Sequence, residues 1–273
     1  MQTRPIPSTN EPLPVIGCGT WQTFDVGASP RERAPLAEVL QTLFTSGGSV
    51  VDSSPMYGRA EAVAGDLLAA SHAHHKAFLA TKVWTRGRAE GIAQMEQSMA
   101  LLKTDRIDLM QVHNLVDWRT HLATLRGWKS EGRVRYVGVT HYTSSAYGEL
   151  EAVLRSETLD FVQVNYALDD RDAERRILPL AAERGIAVLV NRPFGGGGLL
   201  RRLAQRELPA IAGEIGCTTW AQLLLKFILG HPAVTCIIPA TSKPGHMAEN
   251  VQAGDGPLPD EALRKRIAAA VRP

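Results

Sequence analysis

Apolar positions along this chain follow two alternating rhythms. Short unbroken runs fit strands buried on both faces, and stretches with apolar residues three or four apart fit helices with one covered side. The runs fall at 16–21, 48–52, 77–82, 107–113, 134–140, 161–165, 186–191 and 234–239. Ser29 and Pro30 start the first helical stretch, Leu36, Val39, Leu40, Leu43 and Phe44 keep its spacing, and Gly47-Gly48 ends it. Further helices are predicted over 60–70, 92–102, 122–129, 144–154, 172–184, 220–229, 245–251 and 261–271, with helical segments between the glycine run at 195–198 and Ile215. Strands alternating with helices predict parallel pairing, and eight such units predict an α/β fold of the closed (β/α)8 TIM-barrel type. An open doubly wound sheet is the rival, but no GxGxxG follows an early strand. The Pro-rich segment 4–16 is expected to form a short N-terminal hairpin plugging one barrel end. No low-complexity linker divides the chain, so a single domain over 1–273 is expected.

Composition narrows the field. A chain of 273 residues with 44% hydrophobic content buries a large core without staples. The net charge of +2 and the lack of a long basic run give no electrostatic case for nucleic acid or an anionic membrane. Cys18, Cys217 and Cys236 are odd in number and far apart, which fits reduced thiols in the cytoplasm. No basic region followed by an apolar run opens the chain, and no apolar stretch approaches the ~20 residues of a membrane span. The expectation is a cytoplasmic protein with no nucleic-acid or membrane partner, a monomer or small homo-oligomer. His72, His74 and His75 look like a metal cluster. They lie between a helix and a strand, on the barrel face away from the chemistry, and no metal is expected.

The strand ends carry the chemistry. In such barrels catalytic groups sit at the C-terminal ends of strands. Those positions here read Asp52, Lys82 and His113, with Tyr57 just past the second strand in the stretch Val51-Asp52-Ser53-Ser54-Pro55-Met56-Tyr57-Gly58. Taken singly, Asp52 could cap a turn, Tyr57 pack at a loop edge, Lys82 snorkel and His113 sit satisfied in a loop. Together they place an acid, a phenol, an ammonium and an imidazole at one mouth. A phenol starts near pKa ~10, and a nearby ammonium lowers that value. Trp21, Trp84 and Trp118 follow strands one, three and four and could line an apolar substrate pocket, with core packing as the alternative for each.

These residues sit in stretches that resemble the aldo-keto reductases. The matches are Asp-x-x-x-x-Tyr-Gly with Glu61 three residues on, Thr81-Lys82-Val83-Trp84, SMALLKTDRIDLMQVH at 98–113, GRVRYVGVT at 132–140, FVQVN at 161–165 and IIPATSKPGHMAEN at 237–250. They run in order along nearly the whole chain. The resemblance implies a (β/α)8 fold, NADPH-linked reduction of a small carbonyl substrate, and a tetrad of Asp52, Tyr57, Lys82 and His113. Tyr57 would be the general acid, Asp52 would hold Lys82, and His113 would donate to the carbonyl oxygen or relay the proton.

The resemblance also implies cofactor contacts at Thr20, Thr140, His141, Gln163, Asn191, Arg192, Pro193, Phe194, Gly195, Gly197, Thr241, Ser242, Lys243, His246, Glu249 and Asn250. The chain departs from the family at several of them. Many relatives have Ser-Asn in place of Thr140-His141, commonly a stacking aromatic in place of Asn191, and often Lys and Arg in place of Ala240 and His246. Lys243 is then the main charge for a 2′-phosphate, and NADPH is expected over NADH. The glycine run at 195–198 would let backbone amides approach a pyrophosphate. Two further readings stand beside the reductase. One is a slow or non-enzymatic nucleotide-binding redox-sensor module, which Asn191 and His141 keep open while the Asp52-Tyr57-Lys82-His113 set favours the enzyme. The other is a cofactor-free barrel isomerase or lyase, which Gln163 and the glycine run oppose.

Overall fold

The computed structural model describes residues 1–271; the last two positions of the unit expected over 1–273 lie outside the described residues. The chain opens with an antiparallel hairpin of β1 (Thr3–Pro5) and β2 (Pro12–Pro14). Strands and helices then alternate. They run β3 (Cys18–Gly19), α1 (Pro30–Thr45), β4 (Val50–Asp52), α2 (Ala60–Ala70), β5 (Phe78–Val83), α3 (Arg88–Leu102), β6 (Ile107–His113) and α4 (Trp118–Ser130). The second half runs β7 (Val134–His141), α5 (Tyr147–Ser156), β8 (Phe161–Asn165), α6 (Ile177–Glu183), β9 (Ala187–Asn191), α7 (Gly198–Leu203), α8 (Trp220–Leu229), β10 (Cys236–Ile237), α9 (Pro244–Gln252) and α10 (Glu261–Ala270).

The eight strands β3 to β10 pair in chain order, every neighbour parallel. The ring closes at a thin seam. Parallel bridges join Ile16 to Ile237 and Gly19 to Ala240, and the Gly17 amide donates to the Ile237 carbonyl at 2.8 Å. A Cβ on Gly17 would lie 2.7 Å from Val50 Cβ, and one on Gly19 2.8 Å from the Ile238 carbonyl oxygen. Glycine at both positions is what lets the first strand approach both neighbours. The outcome is the (β/α)8 barrel that the strand rhythm predicts.

Side-chain alternation sorts each strand into an inner and an outer set. Val51, Leu79, Met110, Val137, Val162 and Val188 belong to the large core that also holds the helix residues Leu36, Val39, Leu43 and Val63. Val50, Phe78, Leu109, Tyr136, Phe161, Ala187 and Leu189 form a second, inner core together with Ile6 and Leu13. Those two residues belong to the hairpin, which plugs this end of the barrel as expected. Arg4 fastens it there by donating to the His231 carbonyl at 3.0 Å and to the carbonyls of Leu229 and Val234, where α8 ends.

Some boundaries differ from the expectation. The stretch 172–184 is not one helix: a 3-10 turn covers Asp172–Arg175 and α6 starts afresh at Ile177. Pro179 has no N–H to give and its ring crowds the Arg175 carbonyl four residues back, which favours a break where the 3-10 turn ends. The helix expected from 122 begins at Trp118. The first and last barrel strands are shorter than their apolar runs, with ladders only at Cys18–Gly19 and Cys236–Ile237. His74 bonds the Leu102 carbonyl through Nε2 at 2.9 Å. No helix among the described residues is long and apolar enough to cross a membrane.

Candidate active site

The alternation that fills the lower barrel with apolar groups continues upward and delivers polar ones. Two positions beyond Val50 on β4 stands Asp52, and four beyond Phe78 on β5 stands Lys82. Counting the same parity, Gln111 and His113 follow Leu109 on β6, Thr140 follows Tyr136 on β7, Gln163 follows Phe161 on β8, and Asn191 follows Leu189 on β9. Lys82 is fully buried and donates to Asp52 Oδ2 at 2.7 Å and to the Ser53 carbonyl at 2.6 Å. Asp52 Oδ1 accepts from Gln163 Nε2 at 2.8 Å and from Gln111 Nε2 at 3.3 Å.

Tyr57 arrives from above. The turn after β4 is held by the Tyr57 amide on the Ser54 carbonyl at 3.0 Å. The Lys82 ammonium then lies 5.1 Å from the centre of the Tyr57 ring. His113 meets the same ring edge-on, with centroids 6.0 Å apart at 87°. Its Nδ1 is 3.0 Å from the buried Ser54 hydroxyl. The Trp84 ring is 6.3 Å away on another side. All four tetrad members are therefore brought to one mouth.

Burial and charge set their protonation. Burial disfavours the Lys82 ammonium, but the charges and hydrogen bonds of Asp52 and Tyr57 together outweigh it and hold the Lys82 pKa above its ordinary value. Burial likewise raises the Tyr57 phenol, and the opposing effect of Lys82 does not overcome it. The lowered phenol expected from the sequence is thus reversed: the Tyr57 ring is as much desolvated as it is near a cation. The His113 pKa is pushed down to about 2, first by burial and then by the charges of Lys82 and His141. This imidazole is neutral, suited to a hydrogen bond rather than to carrying a proton. Glu61 accepts from Thr81 Oγ1 at 2.5 Å on the outer side of β5, and burial raises its pKa.

The residues expected at a cofactor fall into three groups. The first is tied into the network below Tyr57. The Thr20 hydroxyl donates to the Asp52 carbonyl at 3.0 Å and meets the Ser53 hydroxyl at 2.9 Å, bracing the strand end. Gln163 Oε1 accepts from Thr140 Oγ1 at 3.4 Å and from Asn191 Nδ2 at 3.3 Å, so this glutamine has partners within the protein. Asn191 presents an amide where the resemblance implies an aromatic face. Phe194 does not supply that face freely, because it packs against the hydrophobic core beside the buried Pro193. The His141 ring stacks on Tyr142 at 5.9 Å and 7°, and the Arg192 guanidinium lies 5.7 Å from the same tyrosine.

The second group is the glycine run. Gly195, Gly196 and Gly197 all have positive φ, at 58°, 65° and 84°. Side chains fold over this bare backbone. A Cβ on Gly197 would sit 3.3 Å from Arg201 Nη1, and one on Gly198 3.5 Å from Arg202 Nη1. Arg202 is also paired with Asp169. Backbone without side chains, flanked by guanidinium groups, fits a bound pyrophosphate. The third group is the entry to α9. Thr241 Oγ1 accepts from the Lys243 amide at 3.1 Å, Ser242, Lys243 and His246 are exposed, Glu249 is half-buried and Asn250 is buried.

The tryptophans separate. Trp21 and Trp84 are 42% and 41% exposed. Trp118 is only 8% exposed and belongs to the core that holds Leu122 and Leu125 of its own helix, with Arg119 stacked 4.1 Å over its ring. As the first residue of α4 it faces the packed side of that helix, so the structure does not bring it to the mouth. Two residues escaped the sequence reading. Gln111 shares the parity of His113 on β6, a signal that could have found it. Ser54 stands within the stretch that carries Asp52 and Tyr57, but its partner is distant in sequence.

Comparison with known proteins places these features in a family. A model of the aldo/keto reductase family matches residues 15–270. Methylglyoxal reductase YeaE of Escherichia coli (strain K12) is 28% identical over 247 residues, covering 87% of this chain and 84% of that protein. Methylglyoxal reductase DkgB of Yersinia pestis is 26% identical over 251 residues, covering 88% and 87% respectively. A crystal structure of an aldo-keto reductase from Klebsiella pneumoniae in complex with NADPH superimposes with a TM-score of 0.81 at 25% identity, covering 97% of this chain and 93% of that one.

Proposed function

The chain belongs to the aldo/keto reductase family, and on that premise we propose that it reduces an aldehyde or ketone to an alcohol, with NADPH as cofactor and Tyr57 as proton donor. One observation carries this reading. A buried Lys82–Asp52 pair, 2.7 Å apart, lies under the Tyr57 ring with a neutral His113 at its edge. When bound, a dihydronicotinamide supplies the hydride, which no side chain can. Tyr57, protonated because burial raises its pKa, gives its proton to the oxygen that becomes an alkoxide. Lys82, kept charged by Asp52, stabilises the phenolate left behind. His113 orients the carbonyl oxygen by a hydrogen bond, Trp84 offers an exposed apolar face 6.3 Å from its ring, and Trp21 is likewise exposed. The Gly195–Gly197 backbone with Arg201, and the exposed Lys243, would hold the phosphates. The names of the relatives point to small reactive dicarbonyls such as methylglyoxal as first substrates.

The test is a fluorescence titration with NADPH and NADH, followed by a carbonyl panel including methylglyoxal at saturating cofactor. Tighter binding of NADPH and its oxidation by at least one aldehyde are expected. Absence of any dinucleotide binding would overturn the reading. Binding without turnover across the panel would favour the sensor module, for which Asn191 in place of a stacking aromatic is the specific observation.

A further inference from the structure

The hydroxyl of Ser54 faces His113 Nδ1 at 3.0 Å, with no solvent at Ser54. Either atom of that contact could carry the proton in principle. The surroundings decide. The Ser54 oxygen already accepts the Met56 amide at 3.4 Å. Its own O–H has one acceptor within reach among the described residues, which is His113 Nδ1. A proton on Nδ1 would aim two N–H groups at the Ser54 oxygen and leave a buried O–H with nothing to bond. Such an unmet donor biases the equilibrium by about tenfold or more. The proton of the neutral ring therefore belongs on Nε2, which has no hydrogen-bond partner among the described residues.

We propose that Ser54 is a positioning residue that fixes His113 as the Nε2–H tautomer, so that the ring presents a donor to the carbonyl oxygen of the substrate. The inference rests on the reductase reading for what the donor is used on, and on geometry alone for the tautomer. With Nδ1–H instead, Nε2 would offer a lone pair and repel a carbonyl oxygen. Ser54 thus works through His113 and need not touch the substrate. Sequence gives the serine no special mark, since turns of this kind commonly contain one.

The deciding measurement is the ring 15N spectrum of His113 in the folded protein, which separates a protonated from an unprotonated nitrogen and needs no substrate. Wild type should show Nε2–H with Nδ1 as a hydrogen-bonded acceptor. In Ser54→Ala the Nδ1 signal should move toward that of a free acceptor or average with a second tautomer, and Ser54→Thr should restore the wild-type pattern. With 4-nitrobenzaldehyde and NADPH, Ser54→Ala should lower kcat about tenfold with KM for NADPH unchanged, and Ser54→Thr should recover most of it. A protonated Nδ1 in wild type overturns the proposal, as does a Ser54→Ala spectrum identical to wild type. Loss of kcat in Ser54→Ala without a change in the ring spectrum assigns Ser54 a merely structural role and overturns it as well. If no carbonyl is reduced by wild type, the proposed function falls, and the spectrum still decides the tautomer.

Discussion

The two ends of the barrel interior are built by one rule and do opposite work. Below, Phe78, Tyr136 and Phe161 pack against Ile6 and Leu13 of the hairpin. Above, on the same strands, Lys82 and Gln163 bond Asp52, Gln163 takes up Thr140 and Asn191, and His113 meets Ser54. At the lower end the requirement is volume, because apolar neighbours attract without direction. At the upper end it is direction, because each buried donor or acceptor needs a partner placed within hydrogen-bond reach. Damage at the two ends should therefore separate into lost stability and lost chemistry.

The largest separation is expected from Tyr57→Phe. Reduction should fall by about 10²–10⁴-fold, with the melting temperature and NADPH titration near wild type. Unchanged turnover would remove Tyr57 from the mechanism. Phe161→Ala is the mirror experiment. It should destabilise the fold by about 3–5 kcal/mol in urea denaturation and leave kcat of the folded fraction within about twofold. A large kcat loss at full folding would show that the ends are coupled.

A smaller effect tests the rim. Lys243 is exposed at the entry to α9, so Lys243→Ala should touch neither packing nor chemistry. It should weaken NADPH by about tenfold or more, the size of a charge-assisted contact of about 1.5–3 kcal/mol, with NADH barely changed. Equal losses for both would remove the 2′-phosphate contact. The smallest effect blurs the division between the ends on purpose. His113 takes up no proton in the folded chain until about pH 2, against an ordinary 6.5. Below pH ~6.5 the unfolded chain binds one proton more, so stability falls as pH drops, by at most about 1.4 kcal/mol per pH unit. The gap between denaturant midpoints at pH 7 and pH 5 should narrow in His113→Gln, the rest being kept by His141 and His231, which burial also holds below their ordinary value. Equal slopes in both proteins would mean that His113 is not the titrating group.

Much of this was legible in the residues. The apolar runs marked the strands, and the resemblance named the tetrad at their ends. What escaped depends on register between distant segments. Gln163 looked like a contact awaiting a cofactor, because nothing in FVQVN reveals an aspartate on a different strand 2.8 Å away. Trp118 was grouped with Trp21 and Trp84 by its place after a strand, whereas helix phase at the start of α4 decides its burial. The reversed phenol shift of Tyr57 shows the same limit, since proximity to Lys82 can be read from family pattern and desolvation cannot. Pro179 was in plain view, but the helix expected over 172–184 gave it no weight.

The seam between β3 and β10 has a consequence for how the molecule is made. Its two partners lie near opposite ends of the chain, joined by two isolated bridges rather than a long ladder. The Met1 amine is moored 2.9 Å from Asp255, beyond the last strand. During synthesis the first strand must therefore wait, unpaired on that side, until β10 has left the ribosome. Ring closure becomes the late, high-contact-order event of folding. The amides of Gly17 and Ile237 are its natural reporters: in native-state hydrogen exchange they should open before the ladder between β6 and β7 does.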